Sequence, residues 1–205
     1  TTPNDPSDDV WVPAKDVAAD INVWKRALRY ANKKGVTIVV SAGNDYSNAN
    51  KDKDAVIIPA QLPNVISVSA TAPKQWAYDQ TTDLDLPASY SNFGPSLIDL
   101  SAPGGDRDPE LLPWTLATVG RVTGPDVAFD FVFNASPGGW FWSAGTSMAA
   151  PHVSGVAALI ISKNGGSMKP ADVYAALKKS SDDIGSKGRD AFYGHGRVNA
   201  HNAVK

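Results

Sequence analysis

With 205 residues, 42% of them hydrophobic and 20% charged, the chain is long enough to bury the core of one globular domain, and its composition is neither collagen-like nor disordered. A formal net charge of −2, with acids and bases interspersed along the length, provides no basic face for nucleic acid. The lack of cysteine excludes disulfides, a thiol nucleophile and cysteine-ligated zinc, but leaves the compartment open.

The opening segment, Thr1 to Pro13, is polar and carries Pro3, Pro6 and three aspartates, so it is no signal peptide; no apolar run approaches membrane-spanning length. A targeting segment is therefore expected upstream. From Val17 to Lys34, apolar residues recur at spacings of three and four (Val17, Ile21, Trp24, Leu28, Ala31), which predicts a helix stopped by Gly35. Val36 to Ala42 is β-branched and almost continuously apolar, the pattern of a central strand covered on both faces. Val65 to Ala70 and Leu97 to Ala102 predict two more strands, the last closed by Pro103-Gly104-Gly105.

Residues 106–142 are rich in proline, glycine and aromatics, and read as a surface insertion in which Val127 to Phe133 forms one arm of a hairpin. Small and apolar residues from Ser147 to Asn164 predict a helix beginning at Thr146-Ser147, and Pro170 at a first helical position opens another through Ser180. Strands following helices suggest an α/β fold, with a mainly parallel sheet flanked by helices, in a single domain without internal repeats.

The chemistry concentrates in Gly145-Thr146-Ser147-Met148-Ala149-Ala150-Pro151-His152-Val153. A serine at a helix start lies among free backbone N–H groups and the positive end of the helix dipole, both of which favour an oxyanion developing beside its Oγ. By itself Thr-Ser at such a point is more often a simple N-cap, and Asn44 after Gly43 is more often a turn residue.

Taken together, these segments resemble a known family. Gly145 to Val153 is similar, nearly letter for letter, to the nucleophile segment of the subtilisin-like (subtilase) serine peptidases, and Ser41-Ala42-Gly43-Asn44 resembles their oxyanion-hole segment. Ile58-Pro59-Ala60, Tyr90-Ser91-Asn92-Phe93-Gly94 and Leu100-Ser101-Ala102-Pro103-Gly104 match further landmarks in the family's order, and the likeness runs from about Val17 to the C-terminus.

The resemblance implies a subtilisin-like α/β domain and a serine endopeptidase. Ser147 would be the acylating nucleophile, with its own N–H and the Asn44 side-chain amide as oxyanion donors and Thr146 adding a weaker hydroxyl contact. Ser41, Ala42 and Gly43 would line one wall of the primary specificity pocket, with Ala144 and Gly145 opposite and Ile57 near the floor. That apolar lining implies apolar or aromatic residues before the scissile bond. Gly43 is expected to lack a side chain so that substrate can approach, and Pro59 matches a position that is cis in many relatives.

The family also requires an aspartate and a histidine, both earlier in the chain than Ser-Ala-Gly-Asn, and neither Asp-Thr-Gly nor His-Gly-Thr occurs here. Of the three histidines, His152 lies five residues after Ser147, about 140° round the helix axis, while His195 and His201 belong to a segment resembling the family's ending. None reads as the base. The expectation is that residues 1–205 are the C-terminal portion of one peptidase domain, incomplete alone, with the N-terminal portion supplied as a second chain. A chain so divided should be inactive by itself.

Other expectations are weaker in content. The reaction needs no cofactor, though structural calcium or sodium is known among relatives; the substrate is a polypeptide, and neither nucleic acid nor membrane is a partner. Location is secreted or periplasmic by analogy. A Gly-x-Ser-x-Gly hydrolase elbow is absent, Asn44 to Asp54 lacks the glycine and terminal glutamate of an EF-hand loop, and Pro137 weakens the Asn134-Ala135-Ser136 glycosylation triplet. The alternative class is an inactive subtilase-like scaffold, against which stands the presence of both Ser147 and Asn44.

Overall fold

The computed structural model describes residues 13–52, 56–107 and 114–205. Its first element is helix α1 (Ala14–Lys33), whose apolar spacing and freedom from β-branched runs suit a helix. Gly35, at φ +86°, ends it: the N–H groups of Gly35 and Val36 turn back to the carbonyls of Asn32 and Ala31 at 3.0 and 3.1 Å. Of the α1 stripe only Leu28 is buried; Val17 and Trp24 are 37% and 45% exposed.

The sheet is built around β2 (Ile66–Ala72), every residue of which is buried. Strand β1 (Val39–Ser41) pairs with it in parallel, Val39 opposite Ile66, and β4 (Leu100–Pro103) pairs in parallel along its other edge, Val68 opposite Leu100. A short antiparallel strand, β3 (Leu86–Pro87), takes the end of the β1 edge at Thr71 and Ala72. Parallel strands with helices packed against their sheet place the chain in the α/β class.

The reading of Val36 to Ala42 as a central strand needs correction. Among the described residues β1 pairs with β2 alone and is half-buried, so it is an edge strand; Val36 is 49% exposed and lies outside it. The backbone ladder does extend slightly past its ends, through Ile66 N–H to Ile38 O and Ala42 N–H to Val68 O. An apolar run of this kind expects cover on both faces, and the described residues cover it only in part.

One face of the sheet presents Ile66, Val68, Ala70, Leu100 and Ala102 to helix α2 (Thr146–Lys163), which answers with Ala149, Val153, Val156 and Ile160. Helix α3 (Pro170–Ser180) adds Val173 and Leu177, both fully buried, and the short α4 (Ala200–Ala203) is capped by the Asn199 side chain. Across the chain, Ala42, Ala60, Leu97 and Ile98 form a second, smaller core.

Between β4 and α2 run two hairpins, β5 (Leu116–Val119) with β6 (Val122–Pro125), and β7 (Val132–Ser136) with β8 (Gly139–Ser143). The single arm expected over Val127 to Phe133 is instead divided. Residues Asp126–Asp130 form a 3-10 turn that buries Val127, and the Asp130 carboxylate accepts the N–H groups of Gln75 and Trp76, both at 2.8 Å. That carboxylate fastens the excursion to the loop after β2, where burial pushes its pKa upward.

Candidate active site

Three ends meet at one point: the C-terminal ends of β1 and β4, and the start of α2. Gly104, just past β4, receives the Gly145 N–H at 2.9 Å and donates its own to Thr71 O at 2.8 Å. A Cβ at Gly104 would stand 2.5 Å from Ala70 Cβ and 2.9 Å from Gly145 O, so only glycine lets the approach to α2 lie this close to the sheet.

After Ser41 the chain turns sharply at Gly43, φ +100°. The fully buried Asn92 holds this turn: its Oδ1 accepts the N–H groups of Asp45 and Ser47, both at 2.9 Å, and its Nδ2 donates to Ala42 O at 3.0 Å. A side chain at Gly43 would collide with the Asn92 amide, so the missing Cβ makes room for this structural pin.

The turn presents Asn44 to the start of α2. Asn44 Oδ1 accepts two hydrogen bonds from Thr146, from N–H and from Oγ1–H, each at 2.9 Å, while Thr146 Oγ1 accepts the Gly43 N–H at 3.1 Å. With Oδ1 doubly engaged, Asn44 Nδ2 must face the other way. Thr146 is fully buried and its hydroxyl proton is spent on Asn44, so it orients the amide and does not itself reach outward.

Ser147 is exposed, second residue of α2, beside the buried Gly145 at φ +150°. The position where a Cβ of Gly145 would stand is 3.6 Å from Asn44 Nδ2 and 3.7 Å from Ser147 N. Both donors therefore border one small space, and among the described residues neither donates to any protein acceptor. Unspent donors converging beside a serine Oγ at a helix N-terminus suit an oxyanion.

The remaining residues fall into two places. Ala42 is completely buried and Ile57 is packed beside it on Ala60, Leu97 and Ile98; Ser41 is half-buried. The Ile58–Pro59 peptide is cis. Ala144 and Gly145 instead border a cleft of about 350 Å³ shared with Asn44, Tyr90, Arg107, Phe131, Trp142 and Ser143. Asn92, Gly104 and Tyr90 lie in segments whose order was visible, but nothing in their local pattern signals which backbone groups they would hold.

His152 bends back on its own helix, its Nδ1 2.9 Å from Met148 O, and faces a separate cleft with Trp76, Phe129 and Arg197. His195 sits edge-on to Tyr174 and bonds through its backbone to Asp99, with burial and the cations Lys178 and Arg189 lowering its pKa; His201 is in α4. In the loop after Asn44, Asp52 accepts Ser47 Oγ and Asn48 N–H, and Asn50 accepts from Ser96, so these groups brace the loop; Asp54 lies outside the described residues. Also among the described residues, no helix is long and apolar enough to cross a membrane.

Residues 9–196 match the subtilase family of peptidases. The chain is similar to a thermophilic serine proteinase of Bacillus sp. (strain AK1), 32% identical over 88% of this chain and 33% of the relative. It is also similar to an extracellular protease of Xanthomonas campestris pv. campestris, 36% identical over 77% of this chain and 21% of that protein. A solved lanthipeptide protease superposes with a TM-score of 0.71 at 28% identity, covering 93% of this chain and 56% of that one. The chain thus spans between a fifth and a third of the length of these two curated relatives. From the match over residues 9–196 and the likeness in sequence and fold to known proteases, the chain belongs to the subtilase family of serine peptidases.

Proposed function

We propose that this chain forms the nucleophile and oxyanion half of a serine endopeptidase, with the histidine base and its orienting aspartate brought by a segment outside these 205 residues, as a second chain. The carrying observation is the convergence of Asn44 Nδ2 and Ser147 N–H on one space beside Ser147. Ser147 Oγ would attack the scissile carbonyl and pass its proton to the supplied histidine, while the oxyanion settles between the two donors. Collapse then expels the amine, protonated by the same histidine, and water releases the acyl group by the reverse sequence.

Supporting a separate base, His152 bonds to Met148 O and His195 sits against Tyr174, while His201 lies in α4. Supporting a missing neighbour, β1 offers an unpaired edge and α1 a partly bare apolar stripe among the described residues. In this reading the residue before the scissile bond lies toward Ser41, Gly43 and Ile57 and is apolar. No cofactor enters the chemistry. Export follows by analogy with the extracellular relative from Xanthomonas.

The test is fluorophosphonate labelling followed by mass spectrometry, on this chain alone, on the chain joined to its N-terminal counterpart, and on the pair carrying Ser147→Ala. Labelling at Ser147 is expected only in the unsubstituted pair. Equal labelling of the lone chain would reveal a base within it, and a folded pair that is never labelled would favour the inactive scaffold.

A further inference from the structure

We infer that the cleft between the loop after β2 and the segment from Phe129 to Val132 is a binding site for a small uncharged phenol, separate from the nucleophile. The cleft holds about 440 Å³, within the range of sites that enclose small organic ligands. Asn44, Gly145 and Ser147 are not among the residues that line it, so the inference stands apart from the peptidase reading.

Its two walls are apolar and tied to each other. Trp76 stands on the β2 side, Phe129 and Phe131 on the other, and Pro103 and Val132 close the space between. The Asp130 carboxylate joins the walls by accepting the N–H groups of Gln75 and Trp76, both at 2.8 Å, and Phe129 is braced edge-on by Trp142 at 6.0 Å between centroids. The cleft is thus formed before anything enters it. Ring walls of this kind favour a flat aromatic body, which packs offset or edge-to-face against them.

Two polar groups on the lining have capacity to spare. Thr71 is fully buried, yet its Oγ1 has no hydrogen-bond partner among the described residues. A buried hydroxyl left in this state is costly, and a ligand oxygen that meets it removes the cost. His152 Nδ1 lies 2.9 Å from Met148 O, and a carbonyl only accepts, so Nδ1 carries the proton and the neutral ring keeps Nε2 as an acceptor. A phenol supplies what both lack: its O–H can donate to Nε2, and its oxygen can accept from a hydroxyl.

The charged groups on the lining are already engaged. Both oxygens of Asp85 accept Arg197 Nη1 at 2.6 Å, Arg197 Nη2 reaches Asp182 at 2.7 Å, and Asp130 serves the two backbone N–H groups. A charged ligand would give up its hydration here without an unpaired opposite charge to receive it. That selects a neutral molecule over a carboxylate or an ammonium of the same size.

The experiment measures binding of p-cresol, toluene, benzoate and benzylamine to this chain joined to its N-terminal counterpart, with the histidine ring nitrogens followed by NMR. The expected Kd for p-cresol is about 0.1–1 mM, with toluene roughly tenfold or more weaker for want of the hydroxyl, and benzoate and benzylamine weaker than p-cresol. Binding of p-cresol should move the Nε2 resonance of His152 and leave those of His195 and His201 in place. Thr71→Val should weaken p-cresol by roughly two- to tenfold without lowering the melting temperature, since the hydroxyl has no bond to lose. Phe129→Ala should weaken p-cresol and toluene alike, whereas Ser147→Ala should leave both unchanged. Failure of p-cresol to bind, equal affinity for p-cresol and toluene, a stationary His152 signal, full affinity in Thr71→Val, or a preference for either charged probe overturns the site. Loss of binding in Ser147→Ala would place the probe at the nucleophile and overturn it as well; none of these results depends on whether the protein cuts peptides.

Discussion

Asn44 and Thr146 act as one device, and their roles separate cleanly by mutation. Removing an oxyanion amide costs an acyl-transfer enzyme roughly a hundred- to a thousandfold in kcat, which is the expected effect of Asn44→Ala in the active pair. Thr146→Val keeps shape but takes one of two hydrogen bonds from Asn44 Oδ1 and strips the Gly43 N–H of its acceptor. Its cost in stability should be about 1–3 kcal/mol, the penalty of a buried donor left unpaired. Because the amide loses its orientation and not its presence, kcat should fall by a smaller factor than in Asn44→Ala, with KM little changed. Steady-state kinetics and thermal melts on both variants check this; a Thr146→Val kcat equal to the original would dissolve the link between the hydroxyl and the amide.

At the scale of elements, the site depends on how closely the start of α2 lies against the end of β4. Gly104 carries that contact through backbone bonds to Thr71 and Gly145, with Ala70 directly beneath it. Its φ is not in the left-handed region, so Gly104→Ala isolates packing from backbone strain. The added methyl would meet the Gly145 carbonyl and Ala70, neither of which can swing aside as a flexible side chain does. Overpacking of this kind costs about 1–3 kcal/mol, and the relief available is displacement of the loop that sets Ser147. Lower melting temperature together with slower fluorophosphonate labelling is expected. A loss of stability with an unchanged labelling rate would show that the nucleophile is positioned independently of β4.

For the whole molecule, the groups with the clearest dependence on pH are two tyrosines, Tyr90 and Tyr174, packed against the main core. Burial, and then the nearby Asp106, push the Tyr90 hydroxyl above its ordinary pKa of 10.0. Burial, and then the Asp99 carboxylate that accepts its proton at 2.7 Å, do the same for Tyr174. Above pH 10 the unfolded chain releases protons that the folded chain retains, so the unfolded state binds fewer and stability falls as pH rises. For Tyr90 the loss should reach about 1.4 kcal/mol at pH 11, with less for Tyr174 because water reaches it more readily. Melting temperatures measured from pH 8 to 11 should decline, and Tyr174→Phe should flatten the decline even though it removes the bond to Asp99. An equally steep decline in that variant would exclude Tyr174 as a contributor.

What the sequence alone determined is what repeats locally or is spelled out in order. The spacing of Ile21, Leu28 and Ala31 is enough for α1, the apolar run at Val65 to Ala70 for β2, and Pro170 for the start of α3. Asn44 and Ser147 were legible because two short segments, far apart, kept one family's letters in one family's order. Tertiary structure alone decided the roles that depend on a partner distant in the chain. Gly43 yields its space to Asn92, 49 residues on, Thr146 spends its hydroxyl on Asn44 across 102 residues, and Asp130 breaks an apparent hairpin arm by reaching back to Gln75. The fate of β1 belongs with these. An apolar strand requires cover, but whether its edge and faces receive it depends on which other segments fold against it, and no local pattern encodes that.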